Sequence, residues 1–261
     1  MSWKLTVAQL GVLWQQLGLD DPPMILAHGA QGHAGADPEQ QLRDAERELA
    51  DSGLLDEAGI PDPLLAAALR RIAGFSLLVD TRFTATGAAE VRALVATDGE
   101  GAMRLVLADG ITQLEGCAGE QSVAALLSAL PDLQPAPGAQ AELAAATVDR
   151  GVQAALDRGN GSDAAVADEL VLLGVAERDV ATLISLTCGD RCLYGQIGVT
   201  VRDTEGRRRR CPDIVQVVDT GNGRAAMWNW DGVLRVAPGS YELFHDLVCE
   251  LVDRACRPLR H

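Results

Sequence analysis

Three cysteines in the second half of the chain have the types and spacing that best suit metal chemistry. Cys188 and Cys192 are separated by Gly-Asp-Arg, and Cys211 follows further along the chain. With His245 as a fourth ligand, these side chains would make a zinc site of sulfur and nitrogen ligands. Paired cysteines of structural zinc sites are usually separated by two residues, so the spacing argues against a metal.

The same segment could supply a nucleophilic thiol. Asp190 or Arg191 beside Cys188 could lower the pKa of its thiol, but no histidine lies nearby in the sequence. The chain also lacks a serine nucleophile elbow, a Walker motif, an HExxH helix and a dinucleotide fingerprint. We therefore predict that the chain is not an enzyme and uses no cofactor and no metal. The alternative is a cytosolic thiol- or zinc-dependent enzyme of unknown substrate.

A glycine- and histidine-rich segment near the N-terminus is a second place where a ligand could bind. Residues 20–37 read DDPPMILAHGAQGHAGAD, with His28 and His33 in the glycine-rich part. The segment has no lysine, and no predicted helix begins there with the spacing of a phosphate loop. We interpret it as a flexible loop whose histidines face solvent.

A run of four arginines, Arg207–Arg210, stands at the tip of a predicted hairpin. The chain as a whole has 37 acidic and 22 basic residues, and this net charge of −15 repels nucleic acid and anionic membranes. No aromatic interleaving accompanies the run, which also argues against nucleic acid. Two interpretations stay open: the arginines protect a strand edge, or their guanidinium groups recognise an acidic or carbonyl-rich patch on a partner.

Length and composition indicate a globular protein with a substantial core. A chain of 261 residues forms one large domain or two small ones. No stretch approaches the roughly 20 apolar residues that cross a bilayer. The N-terminus has one lysine and no long apolar run, so it does not read as a signal peptide. We expect a cytoplasmic protein whose six cysteines are reduced thiols.

The elements that must position these residues are helices and short strands. Apolar spacing and capping residues predict helices over 6–18, 37–53, 62–73, 87–96, 119–130, 139–156, 163–173, 176–187 and 240–255. Thr6 and Gln9 have the pattern of a capping box, and Ser240 is a typical N-cap. A strand is predicted over Phe75–Phe83, and three or four more follow Arg191.

Two predicted hairpins resemble each other and lie about half the chain apart. Each has an Asp-Gly turn, at Asp109-Gly110 and at Asp231-Gly232, and each is followed by a glycine and a helix. A proline-rich segment over 131–140 lies between them. We predict an α+β fold, mainly an antiparallel sheet flanked by helices, with two quasi-symmetric halves over 1–133 and 134–261 integrated into one domain.

The strands after Arg191 could provide a surface for a partner. Alternation places Gln196, Thr200 and Arg202 on one polar face, which either docks a partner or simply faces solvent. Trp228 and Trp230 share a face of their strand, and Met227 lies on the other. Either the tryptophans are core and Met227 faces the partner, or the tryptophans themselves anchor it.

Several segments resemble, in order along nearly the whole chain, the EspG family, the cytosolic chaperones of actinobacterial type VII (ESX) secretion. These segments are VLWQQLGLDDPP, RDAERELADSGLLDEAG, GQIGVTVRDTEGRRRRCPDIVQVVDTGNGR and WDGVLRVAP. The third is similar to the signature hairpin of the family, with its arginine-rich turn and its strand ending in Asp-Thr. The resemblance implies an EspG-like fold and a role without catalysis.

The resemblance also implies a partner. A family member binds a secreted PE–PPE or related helical heterodimer, covers the apolar tip of the PPE-like protein and keeps it soluble for export. Neither nucleic acid nor membrane insertion is implied, and whether the free chain forms a homodimer stays open. We predict these partner-binding residues: Gln196, Thr200, Arg202, Arg207, Arg208, Val215, Val217, Met227, Trp228 and Trp230.

Overall fold

The structure is a computed structural model that describes residues 1–27, 38–203 and 205–257. The strands are β1 (Ser2–Thr6), β2 (Leu77–Ala85), β3 (Val91–Thr97), β4 (Ala102–Ala108), β5 (Ile111–Cys117), β6 (Ala141–Ala144), β7 (Arg191–Arg202), β8 (Arg208–Arg210), β9 (Val215–Thr220), β10 (Gly223–Trp230) and β11 (Val233–Pro238). The helices are α1 (Val7–Gln16), α2 (Met24–Ala27), α3 (Pro38–Asp51), α4 (Pro63–Ala73), α5 (Ser122–Leu127), α6 (Ala145–Asp157), α7 (Asp163–Leu172), α8 (Glu177–Thr187) and α9 (Tyr241–Cys256). The histidines predicted to face solvent, His28 and His33, lie outside the described residues.

The chain divides into two compact units. Unit 1 consists of the described residues of Met1–Arg82, Ala89–Ala129 and Val199–Arg210. Its strands follow the order β1-β5-β4-β3-β2, and β8 pairs with the end of β7. Helices α1, α3 and α4 contribute to a core with these strands, in which leucines such as Leu13 and Leu69 are fully buried. Burial of such apolar side chains is the main stabilising contribution to the unit.

Unit 2 consists of the described residues of Phe83–Ala88, Leu130–Gly198 and Cys211–His261. Its strands follow the order β7-β9-β10-β11-β6. Apolar residues of α7 and α8 form a core with β6, β10 and β11, with Leu170 and Leu186 fully buried. Helix α9 contacts β9 and buries its own apolar stripe, which includes Val248 and Leu251.

The Asp-Gly turns adopt the same backbone conformation in the two units. Asp109 and Asp231 have φ angles of 50° and 56°, and Gly110 and Gly232 have φ angles of 75° and 79°. Positive φ at both central residues is the requirement of a tight two-residue hairpin turn, and Asp-Gly satisfies it with little strain. The two predicted hairpins are therefore confirmed as β4–β5 and β10–β11.

The two units also share the path of the chain. In unit 1, strand β1 leads directly into α1 and pairs with β5, so that the Val7 amide donates to the Gly110 carbonyl at 3.2 Å. In unit 2, strand β6 leads directly into α6 and pairs with β11, and the Ala145 amide donates to the Gly232 carbonyl at 2.9 Å. The predicted α+β class with quasi-symmetric halves is confirmed. The division at 133/134 stays a prediction.

Some elements differ from the sequence prediction. The helix predicted over 87–96 is wrong, because Val91–Thr97 is strand β3, with four consecutive residues buried. The helix predicted over 139–156 begins later, since Ala141–Ala144 is strand β6. The arginine run is not confined to a tip, because Arg208–Arg210 forms strand β8. The alanines of the first two segments favour helix locally, whereas pairing with neighbouring strands decides the conformation of all three.

Candidate functional site

Strand β7 alternates between buried and more exposed side chains, as its sequence predicts. Leu193 and Ile197 are buried, whereas Gln196 is only half-buried. In the paired register, Gln196 lies opposite Gln216, and Gln216 lies opposite Met227. Met227 packs against the core of unit 2, so it is not on an open surface. This row of the sheet is partly covered within unit 2.

Four of the predicted partner-binding residues are core residues of unit 2. Val215 and Val217 have no exposed surface, and Trp228 and Trp230 are also buried. The two tryptophan rings lie 6.2 Å apart in a tilted arrangement, and the Arg254 guanidinium lies 5.1 Å from the Trp230 ring. Of the two interpretations of the tryptophans, the structure shows the core one. A partner cannot reach these four side chains in this conformation.

Arg207 lies in the turn that precedes β8. Its Nε donates to Asp203 Oδ2 at 2.9 Å, and its Nη1 lies 3.1 Å from Glu205 Oε2. The hydrogen bond from the Arg207 side chain lowers the pKa of the Asp203 carboxyl below its usual value. Arg207 is exposed, and its ion pairs are with residues close to it in the chain.

Strand β8 places two further arginines on the same face as residues of β7. Thr200 lies opposite Arg210, and Arg202 lies opposite Arg208. The guanidinium carbons of Arg202 and Arg208 lie 5.3 Å and 5.5 Å from the centre of the Phe75 ring, within the range of a cation–π contact. This face of unit 1 thus combines three guanidinium groups, of which the sequence prediction included those of Arg202 and Arg208.

Backbone carbonyl groups hold two of these guanidinium groups in place. Arg202 Nη2 donates to Ala73 O at 2.6 Å, and Arg208 Nη1 donates to Asp21 O at 2.8 Å. Arg202 Nε is buried and has no hydrogen-bond partner among the described residues. These contacts fix the arginine stems, so the positive charges are preorganised.

The third guanidinium, of Arg210, pairs with a buried carboxylate. Asp80 is buried, and both of its carboxylate oxygens accept hydrogen bonds from Arg210. Arg210 also donates to Thr200 Oγ1 at 3.3 Å. Burial raises the pKa of Asp80 even though Arg210 and Arg82 oppose the rise. Sequence reasoning missed Asp80; the signal was a charged residue within the apolar strand LLVDTRFTA.

The second feature of interest is the C-terminal end of α7 in unit 2. Leu170 is buried against α6, where a Cβ on Gly151 would lie 2.7 Å from Leu170 Cδ2. The next three residues, Val171, Leu172 and Leu173, are exposed, and Leu172 is 74% exposed. Sequence reasoning missed this surface; the signal was a run of apolar residues that no one-sided helical spacing explains.

Comparison with known proteins identifies the family. The model of the EspG family matches residues 6–243. The chain belongs to the EspG family. No curated protein sequence gives a significant match. Among solved structures, the chain is similar to the type VII secretion system chaperone EspG5 of Mycobacterium tuberculosis, solved in complex with a PE25–PPE41 dimer.

The similarity to EspG5 concerns the fold. The TM-score is 0.76 with 13% sequence identity, and the match covers 97% of this chain and 96% of that chain. Both units of this EspG-family chain therefore belong to the matched fold. No helix in the described ranges combines the length and the apolar character needed to cross a bilayer.

The Cys188 thiol of this EspG-family chain lies in an environment that disfavours reactivity. Burial raises the pKa of the Cys188 thiol, and a raised pKa leaves less of the thiolate form. Cys211 is buried, whereas Cys192 is exposed. Over residues 1–27, 38–203 and 205–257, no three His, Cys, Asp or Glu side chains lie close enough to bind one metal ion.

Proposed function

We propose that the chain is a cytoplasmic chaperone of type VII secretion that binds a PE–PPE-like heterodimer. It shields the apolar tip of the PPE-like protein and keeps the pair soluble for export. The match to the EspG family over residues 6–243 carries the proposal. The likeness of the whole fold to EspG5, which was solved with a PE25–PPE41 dimer, supports it.

The exposed end of α7 is the surface that we propose for the apolar tip. A helix that is apolar on all sides is normally buried on all sides. Leu170 is covered within unit 2, but Val171, Leu172 and Leu173 project from the same turn into solvent. An apolar helical tip is a partner whose chemistry matches this surface, because association would remove both sets of side chains from water.

Some of the predicted binding residues are accessible to a partner, and we include them in the proposed docking surface. Gln196, Thr200, Arg202, Arg207 and Arg208 each retain exposed or half-exposed surface. We propose that these residues contact the partner. Met227 and the four buried residues of β9 and β10 would support the sheet from within.

The mechanism needs no bond to be made or broken. Burial of one large apolar side chain contributes roughly 1.5–3 kcal/mol. Association opposes binding by an estimated 4–15 kcal/mol for lost translational and rotational freedom. The three side chains of the α7 end contribute an attraction of the same order as this opposing free energy, and polar residues of the chain add specific contacts. The high negative charge keeps the loaded complex soluble by repulsion between copies.

Co-expression tests the proposal. A PE–PPE-like pair from the same genome is produced in a host without type VII secretion, with and without the chain. We expect more of the pair to be soluble with the chain than without it, and the soluble pair to co-purify with the chain. A pair that stays insoluble, or that is soluble but never co-purifies, would contradict the proposed function.

A matched pair of substitutions tests the docking surface. Leu172→Gln should weaken binding of the pair roughly 10- to 100-fold, because a buried leucine contributes roughly 1.5–3 kcal/mol. Leu64→Gln is the control, since Leu64 is 54% exposed on α4 of unit 1. Isothermal titration of the purified variants gives the two dissociation constants. If the two variants bind with equal affinity, the α7 end is not the docking surface.

A further inference from the structure

Unit 1 contains a cavity of about 240 Å³ beside strand β8. Pro22, Ile25 and Leu78 provide apolar walls. The polar side chains are those of Asp80, Thr200, Arg208 and Arg210. A water molecule occupies about 30 Å³ in the liquid, and cavities for drug-sized ligands begin at about 300 Å³. The cavity therefore fits a side chain or two rather than a cofactor.

The cavity has more positive than negative charge, against the sign of the whole chain. Arg208 and Arg210 line it, and Arg202, which lies opposite Arg208 in the register, is 5.3 Å from the centre of the Phe75 ring. Asp80 is the one carboxylate among the residues that line the cavity, and Arg210 already pairs with it. A net charge of −15 for the chain makes such a local surplus of guanidinium groups unexpected unless it has an anionic partner.

The guanidinium groups of Arg208 and Arg210, which line the cavity, retain N–H groups that can donate to a ligand. A guanidinium has five N–H groups. Arg208 donates from one nitrogen, Nη1, to Asp21 O, and Arg210 donates from Nη1 and Nη2 to Asp80 and Thr200. Arg208 is exposed, and its stem is fixed over Phe75. The remaining N–H groups can therefore donate to an anion without reorganising the arginines.

We propose that this cavity receives an aspartate or glutamate side chain of the bound polypeptide. Arg208 and Arg210 donate to its carboxylate, and a neighbouring apolar group packs against Ile25 and Leu78. The inference rests on the proposed function, because that function supplies the polypeptide. A carboxylate fits better than a phosphate group, since a dianion beside the Asp80 carboxylate would meet stronger repulsion.

A side chain of a docked polypeptide also fits better than a free carboxylic acid. Arg208 and Arg210 are exposed, so solvent screens their attraction and a small free anion would bind weakly. An acidic side chain of a polypeptide brings neighbouring groups that can pack against Ile25 and Leu78, whereas a small free acid brings few. The cavity would then add specificity for an acidic side chain of the partner.

The test is the affinity of the PE–PPE-like pair for variants at Arg208. Arg208→Gln should weaken binding about tenfold, because the hydrogen bond that a guanidinium donates to a carboxylate is charge-assisted and glutamine carries no charge. Arg208→Lys keeps the charge but loses the forked donors, and should fall between Arg208→Gln and wild type. The control is Arg47→Gln, which removes one exposed positive charge of α3 outside the cavity. Thermal unfolding of each variant verifies that the fold is intact.

A rescue experiment identifies the anionic group. Acidic residues of the PPE-like tip are replaced one at a time by lysine and tested against Arg208→Glu. We expect one lysine variant to bind wild type weakly and Arg208→Glu more tightly. If no acidic residue shows this reversal, or if Arg208→Gln and Arg47→Gln bind equally well, the inference is overturned.

Two outcomes separate this inference from the proposed function. If the wild-type chain does not bind the pair at all, the proposed function fails and the inference fails with it. If the wild type binds the pair and Arg208→Gln binds it equally well, only the inference fails. A third experiment titrates the free chain with N-acetylglutamate. If the wild type binds this compound and Arg208→Gln does not, while both bind the pair with the same affinity, the cavity is a site for a free carboxylate. That result would overturn the proposal.

Discussion

The two units have the same chain path but expose different chemistry. Unit 1 presents a cationic cavity beside β8, with Asp80 paired to Arg210 at its wall. Unit 2 has its own arginine–aspartate pair, Arg224 with Asp219, but this pair is fully enclosed in the sheet. Unit 2 instead presents the apolar end of α7. The comparison shows that turns and strand order repeat, whereas the exposed side chains are particular to each unit.

The largest expected effect comes from breaking the enclosed ion pair. Arg224 and Asp219 side chains are 8% and 4% exposed, and two hydrogen bonds of 2.8 Å join them. Arg224→Leu should lower the free energy of unfolding by about 3–5 kcal/mol, because Asp219 stays buried without a partner. Urea unfolding measures the change.

The arginine–aspartate pair of unit 1, Arg210 with Asp80, provides a comparison for that substitution. Arg210 is 39% exposed, and the raised pKa of Asp80 allows its carboxyl to take a proton when Arg210 is removed. Arg210→Leu should therefore lower the free energy of unfolding by less, about 1–3 kcal/mol. Equal losses for Arg210→Leu and Arg224→Leu would show that the two pairs are not energetically different.

A smaller effect is expected at the Asp-Gly turns. Gly110→Ala and Gly232→Ala each place a Cβ on a residue with φ near 75° or 79°. The left-handed conformation is unfavourable for a residue with a Cβ by roughly 1–2 kcal/mol, so each variant should lose about that much stability. Thermal unfolding measured side by side gives both values. A loss confined to one variant would mean that the hairpins are not equivalent.

The smallest effect concerns the starts of α1 and α6. Thr6 caps α1, accepting from the Gln9 amide at 3.1 Å, whereas Ala144 precedes α6 without a side-chain cap. Thr6→Ala should lower the free energy of unfolding by about 1 kcal/mol, and Ala144→Ser should raise it by about 0.5–1 kcal/mol. Chemical unfolding curves distinguish the two signs. Destabilisation by Ala144→Ser would show that the two starts differ in more than the cap.

Features that depend on a few neighbouring residues could be predicted from the sequence. The capping box of Thr6 and Gln9, the N-cap Ser240 and the two Asp-Gly turns all appear as predicted. Each rests on one backbone conformation and one or two local hydrogen bonds. Local sequence therefore located the ends of helices and the centres of hairpins.

Features that depend on distant residues could not be predicted in this way. Strand β3 was predicted to be helical because its alanine-rich sequence is ambiguous until its partner strands are known. The burial of Val215 and Val217 depends on which helices cover the sheet. The Asp80–Arg210 pair joins positions far apart in sequence, so no local pattern indicates it. The candidate site was thus predicted only in part.

The most direct test is the mass of the complex formed from purified components. The chain and a purified PE–PPE-like heterodimer are mixed and analysed by size-exclusion chromatography with light scattering. The account predicts a single species with one chain per heterodimer, reduced in amount by Leu172→Gln and retained with Leu64→Gln. Separate elution of the chain and the soluble heterodimer would contradict it.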